Sequence, residues 1–381
     1  MRAHDLELVK AQSLAEYGHQ RLDALCAAIG VTAEEQRSAR AVFQIACESW
    51  GELPLGEAPA WDNDLTDDGT PFEFSLGFEG EKPELRLLFE PQLDAGPLTQ
   101  QTSWQAGRAL LARLQARGSC DCSQLEQILP LFEPSPDYLP RFSLWHAVVL
   151  GEHGASLFKA YVNPEIVGVA HSRGLVQRAL ERIGMTEAWT FVDQRLADDT
   201  RLPYLSLDLQ SQQTGRVKLY ATATSAEAVE RLVSGAAGLP RGEATRWLRL
   251  LNQSDGPYSN RPILICFGFR PGAPSPEATV HVPIRNYAPN DQEALERTRA
   301  LLTLTQGEQL EAALMALAKA PLRRSHGVLS YVSLRQGRSR VRVTTYMAPG
   351  AYTTGEGSDR RSSGTIPTGR PSSVPPSRAL K

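Results

Sequence analysis

The stretch "GRVKLYATATS", residues 215–225, alternates as a strand does. Arg216, Lys218 and Tyr220 fall on one face; Val217, Leu219 and Ala221 fall on the other. The apolar face packs on a core. The opposite face carries two cations and a phenol in a row, where a solvated strand mixes Thr, Ser and Glu. Working outward, "LPYLSLDLQ" (202–210) reads as the partner strand of a hairpin with 216–224. Four more pairs of alternating runs repeat the unit: 71–79 with 84–92, 143–152 with 156–164, 262–270 with 278–287, and 328–336 with 339–349. Helical patterns separate them at 103–118, 172–185, 225–236, 244–253, 290–306 and 308–320, and the first 48 residues also read as helices.

The chain is therefore α+β, with ten strands in five hairpins and helices between them. A repeated supersecondary unit builds one closed or stacked object. Ten antiparallel strands can close into a barrel with no exposed edge, helices outside and a lumen wide enough for a ligand. An open sheet with helices on one face accommodates the same pattern. Residues 1–349 read as a single domain, with N-terminal helices over 1–48 and the strands within 60–349. The tail, 350–381, is rich in Gly, Ser, Thr, Pro and Arg without periodicity and is expected to be disordered.

Among 381 residues the formal net charge is −3, so nucleic acid is not expected as a partner and any cationic cluster must be local. Five scattered cysteines do not form a disulfide framework, and Cys120 and Cys122 have no second pair with which to hold zinc. The N-terminus is polar, and no apolar run approaches the ~18 residues of a membrane span. A soluble, cytoplasmic monomer or homodimer follows as the expectation. The phosphate-loop, dinucleotide and His-Glu-x-x-His patterns are missing. Asp64, Asp67 and Asp68 reverse the Asp-Asp-x-x-Asp order of magnesium-dependent prenyl enzymes and read as a turn, so no metal and no cofactor are expected.

Collected strand by strand, the polar faces repeat a theme. Arg86 stands on the second strand, Lys159 and Tyr161 on the fourth, Thr279 and His281 on the eighth, and Arg342, Thr344 and Tyr346 on the tenth. A cation comes first and an aromatic residue follows. Inside a barrel these residues make a cationic floor walled by phenols. A desolvated cluster of like charge needs an anion, and a diphosphate offers the charge and the acceptor oxygens. On an open sheet they would be a solvated basic face. Phenol rings present negative faces to a cation, so the same site suits the carbocation left by an allylic diphosphate and keeps water from it. Glu73, in "FEFSLGF", sits between aromatic neighbours. A buried carboxylate there needs a donor, which an indole N–H supplies; a surface Glu or a structural ion pair is the alternative. His146, in "LWHAVVL", has the intrinsic pKa of a base that could take the ring proton, and is otherwise a structural histidine.

These blocks carry a resemblance. "GTPFEFSLGFE", "ELRLLFEPQ", "FKAYVNP", "LPYLSLDLQ", "GRVKLY" and "VHVPIRNYAPND" resemble, in order, the successive blocks of the dimethylallyltryptophan-synthase-type aromatic prenyltransferases, especially the bacterial indole prenyltransferases, from about residue 60 to 349. The resemblance implies the αββα prenyltransferase barrel. It also implies metal-independent transfer of a dimethylallyl group from dimethylallyl diphosphate to the indole of tryptophan, a tryptophan-derived peptide or an indole alkaloid. Tyrosine or another phenol as acceptor, or a non-catalytic barrel binding an anionic or aromatic small molecule, are the alternatives. By position, Glu73 matches the family's indole-binding glutamate. Arg86, Lys159, Arg216 and Lys218 match its diphosphate-binding cations, and His281 and Arg342 are assigned to the same diphosphate-binding side without matching the family's residues there. Tyr161, Tyr220 and Tyr346 match the tyrosine shield. His281 departs from the tyrosine usual in fungal members, Thr279 replaces a frequent glutamine or lysine, and Arg342 lies where another tyrosine is expected.

Overall fold

The structure, a computed structural model, describes residues 12–352 except 81, 137, 152–155, 260, 274 and 338–339. Ten strands form: β1 (Phe72–Phe78), β2 (Glu84–Phe89), β3 (Leu144–Leu150), β4 (Ser156–Val162), β5 (Tyr204–Asp208), β6 (Val217–Ala223), β7 (Ile263–Phe269), β8 (Glu277–Val282), β9 (Leu329–Gln336) and β10 (Val341–Met347). Each pairs antiparallel with its sequence neighbours, and β1 pairs with β10, so the sheet closes. The open-sheet alternative is thereby excluded.

Closure follows from what the outer face carries. Phe72, Phe74, Leu76 and Phe78 of β1, and Val217, Leu219, Ala221 and Ala223 of β6, are buried outside the barrel wall. That apolar skin is covered by α1 (Leu14–Ile29), α2 (Ala33–Cys47), α3 (Gln100–Ala116), α4 (Ser123–Ile128), α5 (Ser172–Arg182), α6 (Thr186–Asp193), α7 (Ala226–Val233), α8 (Glu243–Asn252), α9 (Asp291–Arg299) and α10 (Leu304–Leu317). Among these, α3 lies on β3, α7 on β6 and β7, α8 on β8, and α9 on β9. Capping boxes at Ser13, Thr32, Thr99 and Thr303 start α1, α2, α3 and α10.

The structure corrects two readings of the sequence. The pattern over 290–306 is not one helix: α9 stops at Arg299, and Thr303 caps a new helix by exchanging hydrogen bonds with Gln306. Gly307 is therefore inside α10, where a Cβ would meet Arg299 Cγ at 3.2 Å. Residues 350–352, assigned above to a disordered tail, are held in place; the Tyr17 hydroxyl donates to the Gly350 carbonyl (2.7 Å). The Ala351 N–H donates to Thr70 Oγ1 (3.1 Å) and the Tyr352 N–H to Asp68 Oδ2 (3.1 Å). The rest of that tail, 353–381, and the "HGA" link at 153–155 lie outside the described residues. Among the described residues no helix is long and apolar enough to cross a membrane.

Candidate active site

Strand alternation sends every second residue into the lumen, and register decides which residues meet there. Arg86, Lys159, Tyr161, Arg216, Lys218, Tyr220, Thr279, His281, Arg342, Thr344 and Tyr346 all line one cavity of about 370 Å³. The row on 216–220 thus faces inward, which answers why that strand carries fixed positive charge.

The cavity is layered along the barrel axis. At its mouth, seven cations (Arg86, Lys159, Arg216, Lys218, Arg270, Arg335, Arg342) stand with four carboxylates (Glu79, Glu84, Asp208, Glu277). Arg86 Nε donates to Glu84 Oε1 (2.6 Å) and Nη1 to Thr344 Oγ1 (3.3 Å). Arg335 reaches both Glu277 (2.6 Å) and Glu79 (3.1 Å), and Arg342 pairs with Glu79 (2.9 Å) at the rim. Burial, and then Arg216, push the Lys218 ammonium below its usual pKa range. An anion entering the mouth relieves that strain, since it favours the charged form.

Below the cations lies a belt of rings. Centroids are 6.1 Å apart for Tyr161 and Tyr220, 5.6 Å for Tyr220 and His281, 5.8 Å for His281 and Tyr346, and 6.4 Å for Tyr346 and Tyr331. Tyr204 joins from the side, edge-on to Tyr220 at 5.6 Å. His281, assigned above to the diphosphate side, lines the same cavity as those cations and also stands between Tyr220 and Tyr346 in the aromatic belt. Burial, then Lys218 and Arg86, lower its pKa to about 3.

Beyond the belt lies Glu73. Its carboxyl is buried, and burial raises its pKa to about 8. The Ser330 hydroxyl lies 3.2 Å from Glu73 Oε2 and 3.1 Å from the Tyr346 carbonyl, and donates its one proton between them. Alternation would point Ser330 outward. The β9–β10 register slips between Tyr346 and Met347, which leaves Ser330 as an extra residue and turns it inward. Glu73 pairs across the sheet with Leu88, which packs in an apolar cluster with Leu65, Phe142, Trp145, Tyr161 and Tyr204. Trp145 stacks on Phe142 at 4.0 Å, and its indole N–H donates to the buried Glu90 Oε2 at 2.6 Å. At this end, Arg261 Nη1 donates to Asp67 Oδ1 (2.7 Å), Arg285 to Asp67 Oδ2 (2.6 Å), and the Arg261 guanidinium lies 5.1 Å from the Tyr331 ring centre. Asp64 pairs with Arg141, and Asp68 holds the turn through Thr66 and Thr70. The three aspartates are therefore engaged by arginines and by their own turn.

His146 is not brought to this site. The register Ala147↔Lys159 and Trp145↔Tyr161 puts Trp145 and Ala147 inside and His146 outside, beneath α3. Its ring stacks on Phe89 at 5.8 Å, Gly107 of α3 leaves it room, and neither nitrogen has a hydrogen-bond partner among the described residues. Burial, then Arg113, lower its pKa to about 3. The assignment of His146 as base is corrected accordingly: it is a neutral core residue. Replacing it with leucine should leave kcat within about 3-fold, in line with a side chain away from the chemistry. The depressed pKa makes its contribution to stability present above the ordinary imidazole value and lost as pH falls toward 3. The leucine variant should therefore lose less thermal stability than the parent between pH ~6.5 and the acid transition, as followed by circular dichroism.

Gly77 has a steric reason to be glycine. A Cβ there would lie 2.6 Å from Arg86 Nη2 and 3.1 Å from its Cζ. Gly77→Ala should fold, because the flexible end of Arg86 can move aside. Displacing that guanidinium should raise KM for the diphosphate substrate by about 10-fold and leave KM for the acceptor unchanged in steady-state assays.

A closed ten-stranded barrel with cations over an aromatic belt, and a buried carboxyl beyond it, is the architecture of an aromatic prenyltransferase. The chain belongs to the tryptophan dimethylallyltransferase family, whose model matches residues 19–317. It is similar to 6-dimethylallyltryptophan synthase from Micromonospora olivasterospora, solved in complex with DMASPP and Trp, with 31% identity over 89% of this chain and 98% of that one and a TM-score of 0.79. It is similar too to 5-dimethylallyl tryptophan synthase from Streptomyces coelicolor, with 29% identity over 90% and 97% and a TM-score of 0.81. AnaPT from Neosartorya fischeri shares the fold at 19% identity, over 86% and 91%, with a TM-score of 0.71. The reaction of the family is transfer of a dimethylallyl group to the indole of tryptophan.

Proposed function

We propose that this chain prenylates free L-tryptophan and that its own cations replace a metal ion. The observation that carries the reading is the order of layers in the lumen: cations, rings, then Glu73. The lining cations exceed the lining carboxylates by three, and a fully ionised diphosphate monoester carries about three negative charges. Arg86, Lys159, Arg216 and Lys218 bind the diphosphate, with Arg335 and Arg342 nearer the rim. As the C–O bond breaks, the bonding pair leaves with pyrophosphate, and those donors stabilise the charge that develops there. The allyl cation left behind faces Tyr161, Tyr220, His281, Tyr346 and Tyr331, whose rings stabilise it and exclude water. The indole lies against the apolar cluster around Trp145 with its N–H donated to Glu73. A ring carbon attacks the allyl carbon, and the displaced ring proton passes to a lumen base, for which Glu73 and the departing pyrophosphate are available.

Arg261 supports a free amino acid as acceptor. It is a cation at the Glu73 end, close enough to Glu73 to act on its titration, and backed by Asp67 and Tyr331. A tryptophan carboxylate would meet it; a cyclic dipeptide or tryptamine would leave it only Asp67, which it shares with Arg285. Competition between tryptophan, tryptamine and a tryptophan-containing cyclic dipeptide, with products identified by mass spectrometry, tests this. Tryptophan should be favoured by at least about 10-fold in kcat/KM, the worth of one charge-assisted contact. A preference for the cyclic dipeptide would contradict it.

A further inference from the structure

The diphosphate end of the lumen contains a buried carboxylate that an anion site has reason to exclude. Asp208 ends β5, between β4 and β6, and is 4% exposed. It lies directly opposite Lys159 on β4, with Nζ 3.8 Å from Oδ1. Arg216 Nε donates to its Oδ2 at 2.7 Å, and its own N–H donates to the Arg216 carbonyl at 2.9 Å. One carboxylate thus touches two cations from the strand that separates them. The contact to Arg216 uses Nε, so both terminal nitrogens keep donors for an incoming oxyanion. Among the described residues Oδ1 has no hydrogen-bond partner.

Resting on the reading of these cations as the diphosphate site, we infer that Asp208 is a positioning residue: it aims the Arg216 guanidinium and is the resident counter-charge of Lys159 until the substrate diphosphate arrives.

The physical need is plain. Buried like charges without an anion turn away from one another or lose a proton. Lys159 is faced by Lys218 from β6 and Arg216 just before it, by Arg86 from β2, by Asp208 from β5, and by the uncharged Ala147 from β3. Burial, then Lys218, drive its pKa well below the usual lysine range, and Asp208 is the group that opposes them. Burial would raise the pKa of Asp208 in turn, but Lys159, Lys218 and Arg216 hold it below the usual carboxylate range, so it is charged at working pH. A bound diphosphate takes over this role, because its oxygens face the same ammonium.

Asp208→Asn keeps the shape, and an oxygen for Arg216 Nε, while removing the charge. Asp208→Ala removes both, and Asp208→Glu restores the charge. The measurement is kcat and KM for dimethylallyl diphosphate from about pH 6 to 9 at saturating tryptophan. For Asp208→Asn, the alkaline limb of kcat/KM should move down by about one pH unit, a ~10-fold loss on that limb, with kcat itself within about 3-fold and KM for tryptophan unchanged. Asp208→Ala should also raise KM for the diphosphate about 10-fold at every pH, and Asp208→Glu should return the limb toward the parent. Parent-like profiles in both the Asn and Ala variants, or a Glu variant that behaves as Asn, would overturn the inference. Arg216→Ala and Lys159→Ala run alongside. If they raise KM for the diphosphate while the Asp208 variants match the parent, only the positioning role falls; if they too leave it unchanged, the diphosphate site itself is misplaced.

Discussion

Lys218→Ala is expected to lower kcat/KM for dimethylallyl diphosphate by about 30- to 1,000-fold, or ~2–4 kcal/mol of transition-state stabilisation. Lys218, the second residue of β6, projects into the cavity between Arg216 toward the mouth and Tyr220 in the belt. In the proposed reading it meets the bridging oxygen of the allylic diphosphate, which takes up charge as the C–O bond breaks. Charge grows there between ground and transition state, so kcat should fall along with the rise in KM. The belt gives the contrast. Tyr220→Phe keeps the ring between Tyr161 and His281 and should cost much less than Tyr220→Ala, because the face of the ring meets the cation. Steady-state kinetics on the four proteins, parent included, separates the two layers. Unchanged constants in a folded Lys218→Ala would mean that the diphosphate does not sit over β6.

Glu73→Ala is expected to damage the acceptor side instead. A hydrogen bond to an ionised carboxylate is worth about 1.5–3 kcal/mol, so kcat/KM for tryptophan should fall by about 10- to 150-fold while KM for the diphosphate stays near the parent value. Glu73→Gln keeps an acceptor oxygen without the charge and should fall between the two. The pKa near 8 adds a pH signature. Below it the empty site holds the protonated acid; above it the carboxylate accepts the indole N–H. Acceptor kcat/KM should therefore rise with pH through about 8 in the parent and stay flat in Glu73→Gln. Stability runs the other way. Between the ordinary carboxylate value and 8, the folded chain keeps a proton that the unfolded chain has lost, so this site lowers stability as pH rises. Glu73→Gln should melt higher than the parent at pH 8, and the gain should shrink toward pH 5. A residue that loses activity while gaining stability is the mark of a functional carboxyl rather than a structural ion pair.

Much of the architecture was legible because strand alternation is a local signal. All five hairpins were readable from it, and the cation-then-aromatic order exposed the lumen faces of the even-numbered strands. The odd-numbered strands run the other way along the barrel, so the same layers appear in reverse order: Tyr204, Ser206, Asp208 on β5, and Tyr331, Ser333, Arg335 on β9. Read forward, these look like ordinary mixed strands, and Asp208, Tyr331 and Arg335 were missed. Reversing the search on alternate strands would have found them. His146 and Trp145 are adjacent, and both faces of "LWHAVVL" are apolar enough to be buried; only the pairing of Trp145 with Tyr161 decides which side chain enters the lumen. Ser330 could not be read from alternation at all, because a bulge reverses its direction. Arg261 precedes β7, and it gains meaning only when Asp67, almost two hundred residues away, is brought against it.

The central claim is that fixed cations in the barrel supply the counter-charge that other prenyl enzymes obtain from magnesium. It is tested most directly by product formation in metal-stripped protein with excess EDTA, from dimethylallyl diphosphate and L-tryptophan, followed by liquid chromatography and mass spectrometry. The layered lumen predicts prenylated tryptophan at a rate within about 3-fold of that with added magnesium, because the developing charge is met by protein donors already in place. Turnover that appears only when magnesium is restored would contradict it.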